Sequence, residues 1–573
     1  MKKLLALIMA LALMAALFAG CAGKTQEPAE EVPAESVSAE EAPPAEEPAV
    51  KADEVGTATE HDIQTAGEAA DAQEATHSIS YPLDAEGITL TVFTNQPALG
   101  PLTGRIPIES HGEYETWQHS LECTGVDIEL TETSMMTSTE QFNLMVASGE
   151  YADMITGAES QYSGGLTKAF DDEVIIDLAD MIQENCPDYW RYVAADEHLA
   201  RDTKDDSGRI YGVYSIYDSA VYIEGYLMRG DWLDQLGMDA PTDFDQLTEV
   251  FTAFKNEMGC EYPAFVNKTT VFMNHGYNLA GFDVATGGLP MSVDGVNVKC
   301  DFQQDAYRDW LVMMNDWYNK GLIDPNFMET SNDMFSGETE RLNLINQVGS
   351  FTQMSTSLPT FYENETPGYG LIPVVVTADG SGINHMLSDT LVFSSTVVST
   401  QCEYPELALQ YMNWWYTDEG QMCYNYGMEG THYTVNEDGE VEFTDLVINN
   451  DLGISPTLYM RTFTIAGFGW GRTIQSRNWC FYEDYAANAV NFWTEHNDGA
   501  YALPALSFTT EESERIAQFS ADVCTYVAER IPQYITGDIA IDTWDSFVQE
   551  LEQFNLSELV SIYQAAYDRY LGR

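Results

Sequence analysis

Polar side chains with hydrogen-bonding capacity stand at strands predicted near the start of the folded body. Asn95 and Gln96 follow the alternating, β-branched run that begins at Ile88, and Asp153 stands in a short apolar run that ends at Gly157. In a doubly wound α/β lobe, ligands bind at the carboxyl ends of the strands. We therefore expect Asn95, Gln96 and Asp153 to lie near a site for a small solute.

A second group of candidates stands among glycines and polar turn residues instead of along one face of a predicted helix. Loops of that composition commonly carry binding residues on a rigid scaffold. Asn274 and Arg472 are the polar members of this group. The aromatic members are Tyr214, Tyr217, Tyr222, Trp470 and Trp479.

The chain lacks the local motifs of common hydrolases and phosphate-binding enzymes. It has no Gly-x-Ser-x-Gly elbow, phosphate loop or His-Glu-x-x-His motif. With 92 Asp and Glu residues, a glycosidase-like carboxylate pair can always be found, so such a pair carries no weight. The acidic spots at Asp205 and Asp206 and at Asn436 and Asp438 lack EF-hand spacing, which favours solvated loops over Ca²⁺ sites. We expect no catalytic residue, metal or cofactor.

The amino terminus has the layout of a bacterial export signal. Lys2 and Lys3 precede an apolar run of about 15 residues, shorter than the roughly 20 that a membrane-spanning helix needs. The Phe-Ala-Gly-Cys that follows resembles a lipobox, in which Cys21 becomes a lipid-modified amino terminus. The alternative is an ordinary cleaved signal. We predict a lipoprotein signal peptide over 1–21 and a disordered tether, rich in Ala, Glu and Pro, over 22–78.

Length and charge limit what the body, residues 79–573, can be. It exceeds what one hydrophobic core usually supports, so we expect two lobes. The formal net charge of -68, from 24 Lys and Arg against 92 Asp and Glu, disfavours nucleic acid and anionic lipid surfaces as partners. Eight cysteines besides Cys21 form no close pairs, which leaves disulfides and free thiols both open.

Strands and helices alternate at the start of the body. The pattern predicts strands over 88–93, 126–130 and 152–157, with helices over 114–123 and 138–148 between them. This order is typical of a doubly wound α/β lobe. Further along, Thr242 is a predicted helix N-cap, and Thr509 with Glu512 predicts a capping box.

Several short stretches of the body match, in order, stretches that are typical of a known protein family. They are Cys-Thr-Gly-Val-Asp at 123–127, Phe-Asn-Leu-Met-Val-Ala-Ser-Gly at 142–149, Gly-Arg-Ile-Tyr-Gly at 208–212, Arg-Gly-Asp-Trp-Leu-Asp-Gln-Leu-Gly at 229–237 and Tyr-Gly-Met-Glu-Gly-Thr-His-Tyr at 426–433. In order and spacing they resemble the family 1 extracellular solute-binding proteins of ABC importers, in the large lipoprotein subgroup of Gram-positive bacteria.

The resemblance implies a two-lobed α/β fold with crossing hinge segments and a ligand cleft between the lobes. We place lobe 1 at about 79–213 with 385–450, and lobe 2 at about 214–384 with 451–573. Most members of the family are expected to bind sugars, for which aromatic rings cover the apolar ring faces and groups such as Asp153 accept hydroxyl hydrogen bonds. The implied partners are a small solute, an ABC permease and, through Cys21, the outer face of the cell membrane, with the protein a monomer.

Three other functions stay open at this stage. The same receptor could carry a peptide or another metabolite, for which Arg472 and Arg477 offer cations. A secreted enzyme that degrades glycans would show turnover. A purely adhesive surface lipoprotein would show no saturable binding of small molecules.

Overall fold

The computed structural model describes residues 77–97, 99, 106–134, 137–218, 224–267, 277, 279–280, 288–329, 350–354, 370–386, 391–436, 439–454, 456–465, 468–475, 477 and 484–573. All of them belong to one structural unit, Asp62–Arg573. The other unit, Met1–His61, which contains Cys21 and the predicted signal peptide, lies outside the described residues. Most of the predicted tether does too.

Strands and helices alternate through most of the described chain. The strands are β1 Thr89–Asn95, β2 Asp127–Thr133, β3 Met154–Thr156, β4 Gly212–Tyr217, β5 Glu224–Arg229, β6 Met291–Val293, β7 Val298–Cys300, β8 Ser350–Met354, β9 Leu371–Val374, β10 Val392–Val398, β11 Tyr433–Val435, β12 Val441–Phe443 and β13 Arg472–Thr473.

The α-helices range from single turns to one of 27 residues. They are α1 Glu115–Thr124, α2 Ser138–Ser148, α3 Ala158–Gln161, α4 Gly165–Asp171, α5 Ile182–Asn185, α6 Pro187–Ala195, α7 Glu197–Asp202, α8 Gly230–Leu236, α9 Phe244–Glu257, α10 Asp305–Asn319, α11 Pro405–Trp414, α12 Asp418–Tyr426, α13 Asp445–Ile448, α14 Pro456–Tyr459, α15 Asp484–Glu495, α16 Thr510–Thr536, α17 Trp544–Leu551 and α18 Leu556–Leu571. None of the described helices is both long and apolar enough to cross a membrane.

The largest sheet has the strand order β13-β4-β10-β3-β1-β2. Strand β1 pairs in parallel with β2 and β3, as the predicted alternation of strands and helices requires. Strand β10 enters from far along the sequence and pairs antiparallel with both β3 and β4. Strands β1, β2, β3, β4 and β13 therefore point the same way, and their carboxyl ends share one edge with the start of β10.

The hydrophobic interior divides into two large clusters and smaller ones. The first packs on the six-stranded sheet and includes Val92, Val213 and Trp414, with Trp470 from the region after β12. The second surrounds α9, α10, α16 and α18, with Phe254 and Val527 among its fully buried members. Such a division is expected of a chain too long for one core.

Local signals explain several helix ends. Helix α2 has the predicted bounds and stops at Gly149, whose φ of 71° lies in the left-handed region that favours glycine. The predicted capping box is present, since Thr509 and Glu512 hydrogen-bond reciprocally at the start of α16. The prediction for α9 was wrong by one residue, because Asp243 rather than Thr242 is the N-cap and accepts from the backbone of Gln246.

Candidate functional site

The carboxyl edge of the six-stranded sheet, hereafter the sheet edge, is where the chain passes between the two large clusters. Strand β4 ends there, and β5 begins seven residues later in the three-stranded sheet β8-β5-β9. Strand β10 starts there, after a stretch in which Asn384 bridges to Asn497. Strand β13 also ends there, before α15, which packs on β5 and β9. Three connections thus leave one edge of one sheet, as expected of crossing hinge segments.

The two polar residues predicted after β1 lie at this edge. Asn95 is half-buried, and its side-chain oxygen accepts a hydrogen bond from the Thr133 hydroxyl at 3.2 Å. Gln96 is exposed, and its backbone N–H donates to the Thr133 carbonyl at 2.8 Å. The Asn95 amide and the Gln96 side chain therefore stand at the rim with donors that a polar solute could use.

Two aromatic rings lie beside each other at the same edge. The Phe393 side chain is 58% exposed, and its ring meets that of half-buried Tyr217 edge to face, with 6.1 Å between the ring centroids. The pairing of β10 with β4 shifts register between Val392 and Ser394, so Phe393 occupies a bulge. Bulges next to binding sites re-aim side chains. Here the bulge coincides with a large apolar ring open to solvent.

Carboxylate hydrogen bonds hold the bulged strand in place. Glu159, in the first turn of α3, accepts from the Ser394 hydroxyl at 2.9 Å and from the Ser395 hydroxyl at 2.6 Å. It also accepts from the Ser395 backbone N–H at 3.2 Å. Because α3 directly follows β3, Glu159 ties the start of β10 to the end of its neighbouring strand. We regard Glu159 as a positioning residue for Phe393.

Tyr214 lies on β4 three residues before Tyr217, and therefore further from the sheet edge. Its backbone carbonyl accepts from the Tyr416 hydroxyl at 2.6 Å, and its side chain is half-buried. Burial raises the pKa of Tyr214, and the nearby carboxylate of Glu159 raises it further, whereas Arg573 acts in the opposite direction. The Tyr214 hydroxyl is therefore neutral at physiological pH.

Burial also affects Tyr217 at the edge itself. It raises the pKa of the Tyr217 hydroxyl, Tyr424 raises it further, and the positive charge of Arg477 lowers it. Arg477 donates to the Asn425 side-chain oxygen at 3.1 Å. Tyr217 is thus a neutral hydroxyl donor and acceptor at physiological pH, with an apolar ring face beside Phe393.

Two of the predicted ligand contacts are engaged within the protein, Trp470 in the first core and Arg472 beside it. Trp470 is fully buried, with its ring 4.5 Å from that of Phe468 and 6.3 Å from that of Trp117. Arg472 donates to the Gln421 side chain at 2.9 Å, and its guanidinium lies 4.5 Å from the centre of the Tyr192 ring. The glycine-rich loop around Trp470 indicates close packing against the sheet instead of exposure, since a Cβ at Gly469 would lie 2.4 Å from Thr396 Oγ1.

Asp153 lies at the opposite edge of the sheet from Asn95. Strand β3 begins at Met154, so Asp153 precedes it and Thr156 marks its carboxyl end. The Asp153 carboxylate accepts from the Thr91 backbone N–H at 2.7 Å and from the Thr91 hydroxyl at 2.8 Å. The expectation that Asp153 stands at a strand's carboxyl end was wrong, because Asp153 is the second residue of the predicted strand 152–157 and directly precedes β3. Its structural role is to join β1 to β3.

The remaining candidate residues either lie outside the described part of the chain or form ion pairs. Tyr222, Asn274, Trp479 and Asp438 lie outside the described part of the chain. Asp205 is buried and pairs with Arg209 at 2.7 Å, whereas Asp206 is exposed and pairs with Arg573 at 2.8 Å. Burial alone would raise the pKa of Asp205, but hydrogen bonds from the Arg209 backbone, Tyr211 and Ser207 lower it.

Sequence reasoning missed Phe393 and Glu159. Phe393 stands in an apolar, strand-like run that is typical of a core strand, and no local signal marks the bulge. Glu159 is one of 92 acidic residues, and only the return of β10 beside β3 brings the two serines to it.

No protein-family model matches the sequence. The chain is 24% identical to the fructooligosaccharide ABC transporter substrate-binding protein FusA of Streptococcus pneumoniae, over 86% of this chain and 92% of that protein. It is 25% identical to the lipoprotein LipO of Bacillus subtilis, over 57% of this chain and 65% of LipO.

The fold is similar to that of the alginate-binding protein AlgQ2, whose crystal structure was solved without calcium ion. The TM-score is 0.66 at 22% identity, and the match covers 86% of this chain and all of that one. The α/β fold with two lobes is therefore shared with solute-binding proteins. By sequence along most of its length, and by fold, the chain is therefore similar to substrate-binding proteins of ABC transporters.

Proposed function

We propose that this protein captures an oligosaccharide outside the cell and delivers it to the permease of an ABC importer. The observation that carries the proposal is the match to FusA, a substrate-binding protein for fructooligosaccharides, along 86% of this chain. A match along most of both chains includes both lobes and the crossings between them. It therefore includes the parts that a receptor needs in order to enclose a solute and to present it.

The geometry of the sheet edge supports a sugar as the solute. Exposed Phe393 beside Tyr217 offers an apolar surface for a pyranose or furanose face, and the amides of Asn95 and Gln96 offer hydrogen bonds to hydroxyls. Sites for small molecules combine an apolar lining with a few placed polar groups. We infer that the solute lies against this edge, between the lobes.

The charge of the chain favours a neutral glycan. Among the described residues near the edge, Arg472 and Arg477 already hydrogen-bond to Gln421 and Asn425, and Arg573 pairs with Asp206. With a formal net charge of -68, a polyanionic solute would meet repulsion unless several cations faced it. We therefore expect neutral oligosaccharides to bind more tightly than uronate oligomers of the same length.

We infer that the two large clusters are the cores of the two lobes. Trp470 and β13 belong with the first core, so we place the second segment of lobe 1 at about 391–473 instead of 385–450. Lobe 2 then contains about 224–386 and 484–573. The remaining residues of the body between these segments would form the hinge.

Attachment and assembly complete the proposal. We infer that residues 1–21 are a lipoprotein signal, that Cys21 carries the lipid and that 22–78 tether the body to the outer face of the membrane. The protein would act as a monomer without catalytic activity. Replacing Cys21 by Ala tests the anchor: the variant should leave the membrane fraction for the soluble fraction, whereas continued membrane association would contradict a lipid on Cys21.

A thermal-shift screen of the purified full-length protein tests the solute class. The panel would contain neutral oligosaccharides, uronate oligomers, monosaccharides and short peptides. A ligand at 100 times its Kd stabilises the folded state by about 2.7 kcal/mol, which raises Tm measurably. We expect a concentration-dependent shift with one neutral glycan class and recovery of intact glycan afterwards. A shift from peptides alone would overturn the sugar assignment, and cleaved glycan would overturn the receptor assignment.

A further inference from the structure

A histidine, a cysteine and a glutamate converge on the surface of the first lobe, away from the sheet edge. His119 and Cys123 stand four residues apart on α1 and therefore share one face of that helix. Glu419 stands in the first turn of α12, 296 residues from Cys123 along the chain. Within the described residues, these three offer ligand atoms that all lie within 4.8 Å of one another.

The distances among the three atoms match a tetrahedral metal centre. Cys123 Sγ lies 3.4 Å from His119 Nε2 and 3.6 Å from Glu419 Oε1, and the two latter atoms are 3.3 Å apart. Zinc bonds of about 2.3 Å to sulfur and about 2.0–2.1 Å to nitrogen and oxygen, at tetrahedral angles, separate ligand atoms by about 3.3–3.6 Å. One cation could therefore contact all three without movement of the backbone.

Packing of the two helices holds this arrangement. The Cys423 thiol, one turn after Glu419, donates to the Thr116 carbonyl on α1 at 3.7 Å. A Cβ at Gly420 would lie 1.9 Å from the Trp414 carbonyl oxygen, so the start of α12 is pressed against the end of α11. The backbone of Glu419 is thus positioned by its neighbours, which reduces the ordering that a ligand would have to impose.

We propose that His119, Cys123 and Glu419 bind Zn²⁺ or another borderline-soft divalent cation, with solvent as the fourth ligand. A thiolate and an imidazole are ligands that zinc accepts and that Ca²⁺ and Mg²⁺, which take oxygen, do not. Glu419 is 62% exposed and His119 27% exposed, so solvent reaches the fourth position. The cation would join α1 to α12 and stabilise the first lobe.

Cobalt(II) is the probe for the test, because a cobalt-bound thiolate gives a charge-transfer absorption band that can be followed in a titration. The metal-free, reduced full-length protein is titrated with Co²⁺ and then back-titrated with Zn²⁺. We expect the band in the wild type, its loss in Cys123→Ser, and its displacement by Zn²⁺ but not by Ca²⁺. Mutating a residue that only hydrogen-bonds to a zinc ligand typically weakens metal binding about 10–100-fold. Because His119 and Glu419 would be ligands themselves, His119→Gln and Glu419→Gln should weaken binding at least about tenfold.

Matched controls separate this site from other thiols and acids. Cys402→Ser removes another half-buried thiol, and Glu122→Gln removes an exposed carboxylate from the same helix. Both should bind Co²⁺ as the wild type does. Glu419→Gln changes an exposed side chain, and its unchanged Tm without metal would show that the fold is intact. The absence of a band in the wild type, or the same band in Cys123→Ser, would overturn the proposal.

Discussion

At the level of single residues, the strongest candidate for solute contact is the exposed ring of Phe393. Truncation to Ala should remove its apolar contact with the glycan that the thermal-shift screen identifies. Because buried aromatic anchors dominate binding energies, we expect a loss of about 1–2 kcal/mol, or roughly tenfold in affinity. Isothermal titration calorimetry measures it directly.

Tyr404 provides the control for Phe393. It is also an exposed aromatic residue, at 44%, but it follows β10 and therefore lies beyond the opposite edge of the sheet. Tyr404→Ala should leave glycan affinity unchanged. Equal losses for the two variants, or no loss for Phe393→Ala, would show that the sheet edge is not the solute site.

A buried carboxylate in the second lobe makes stability depend on pH. Asp301 is 1% exposed and accepts a hydrogen bond from the Ser292 hydroxyl, and desolvation raises its pKa to about 7. In the unfolded chain an aspartate loses its proton near pH ~4. Between these values the folded state holds the proton more tightly. The contribution of Asp301 to stability is therefore complete below about pH 4 and declines as pH rises through 7.

The variant Asp301→Asn isolates that contribution. The free energy of unfolding of the wild type minus that of the variant should fall between pH 4 and 7, by at most about 1.4 kcal/mol per pH unit. Urea denaturation at several pH values measures this difference, in which the other acidic residues cancel. A difference that is flat or rises with pH would contradict a raised pKa at Asp301.

At the level of elements, helix α16 depends on its amino-terminal cap. The Thr509 hydroxyl accepts from the Glu512 backbone N–H at 3.2 Å, and the Glu512 carboxylate accepts from the Thr509 backbone N–H at 2.9 Å. Loss of such a cap costs about 1 kcal/mol, which we expect for Thr509→Ala in urea denaturation. Thr525→Ala, in the exposed middle of the same helix, should be neutral or slightly stabilising because alanine is the better helix former. Equal effects would exclude the capping role.

These elements also show how far sequence reasoning reaches. The ends of α2 and α16 were predictable because glycine and the capping box act over three or four residues. The antiparallel direction of β10, the bulge at Phe393 and the burial of Trp470 were not, because each depends on chain that returns from more than 150 residues away. Asp153 was misplaced for another reason: it is the second residue of the strand predicted over 152–157, so the prediction itself already put it at the amino end, where the structure has it.

At the level of the whole molecule, ion pairs join α18 to the segment between α7 and β4. Asp206, which precedes β4, pairs with Arg569 at 2.5 Å and with Arg573 at 2.8 Å. Tyr570 donates to the Asp202 carboxylate at 2.9 Å, and Arg573 also donates to the Lys204 carbonyl at 2.8 Å. If the two large clusters are the cores of two lobes, as we propose, these contacts join the lobes at a place separate from the three crossings.

A double-mutant cycle tests whether this contact holds the lobes together. Only 6% of the Arg573 side chain and 19% of that of Asp206 are exposed, so water screens the pair weakly. We expect Arg573→Gln and Asp206→Asn to couple by about 1–3 kcal/mol in the free energy of unfolding. The exposed pair Arg308 and Asp309, at 3.0 Å, should show no measurable coupling under the same substitutions. Additive effects would mean that the Asp206–Arg573 pair adds nothing to this contact, which the hydrogen bonds from Tyr570 to Asp202 and from Arg573 to the Lys204 carbonyl would then maintain.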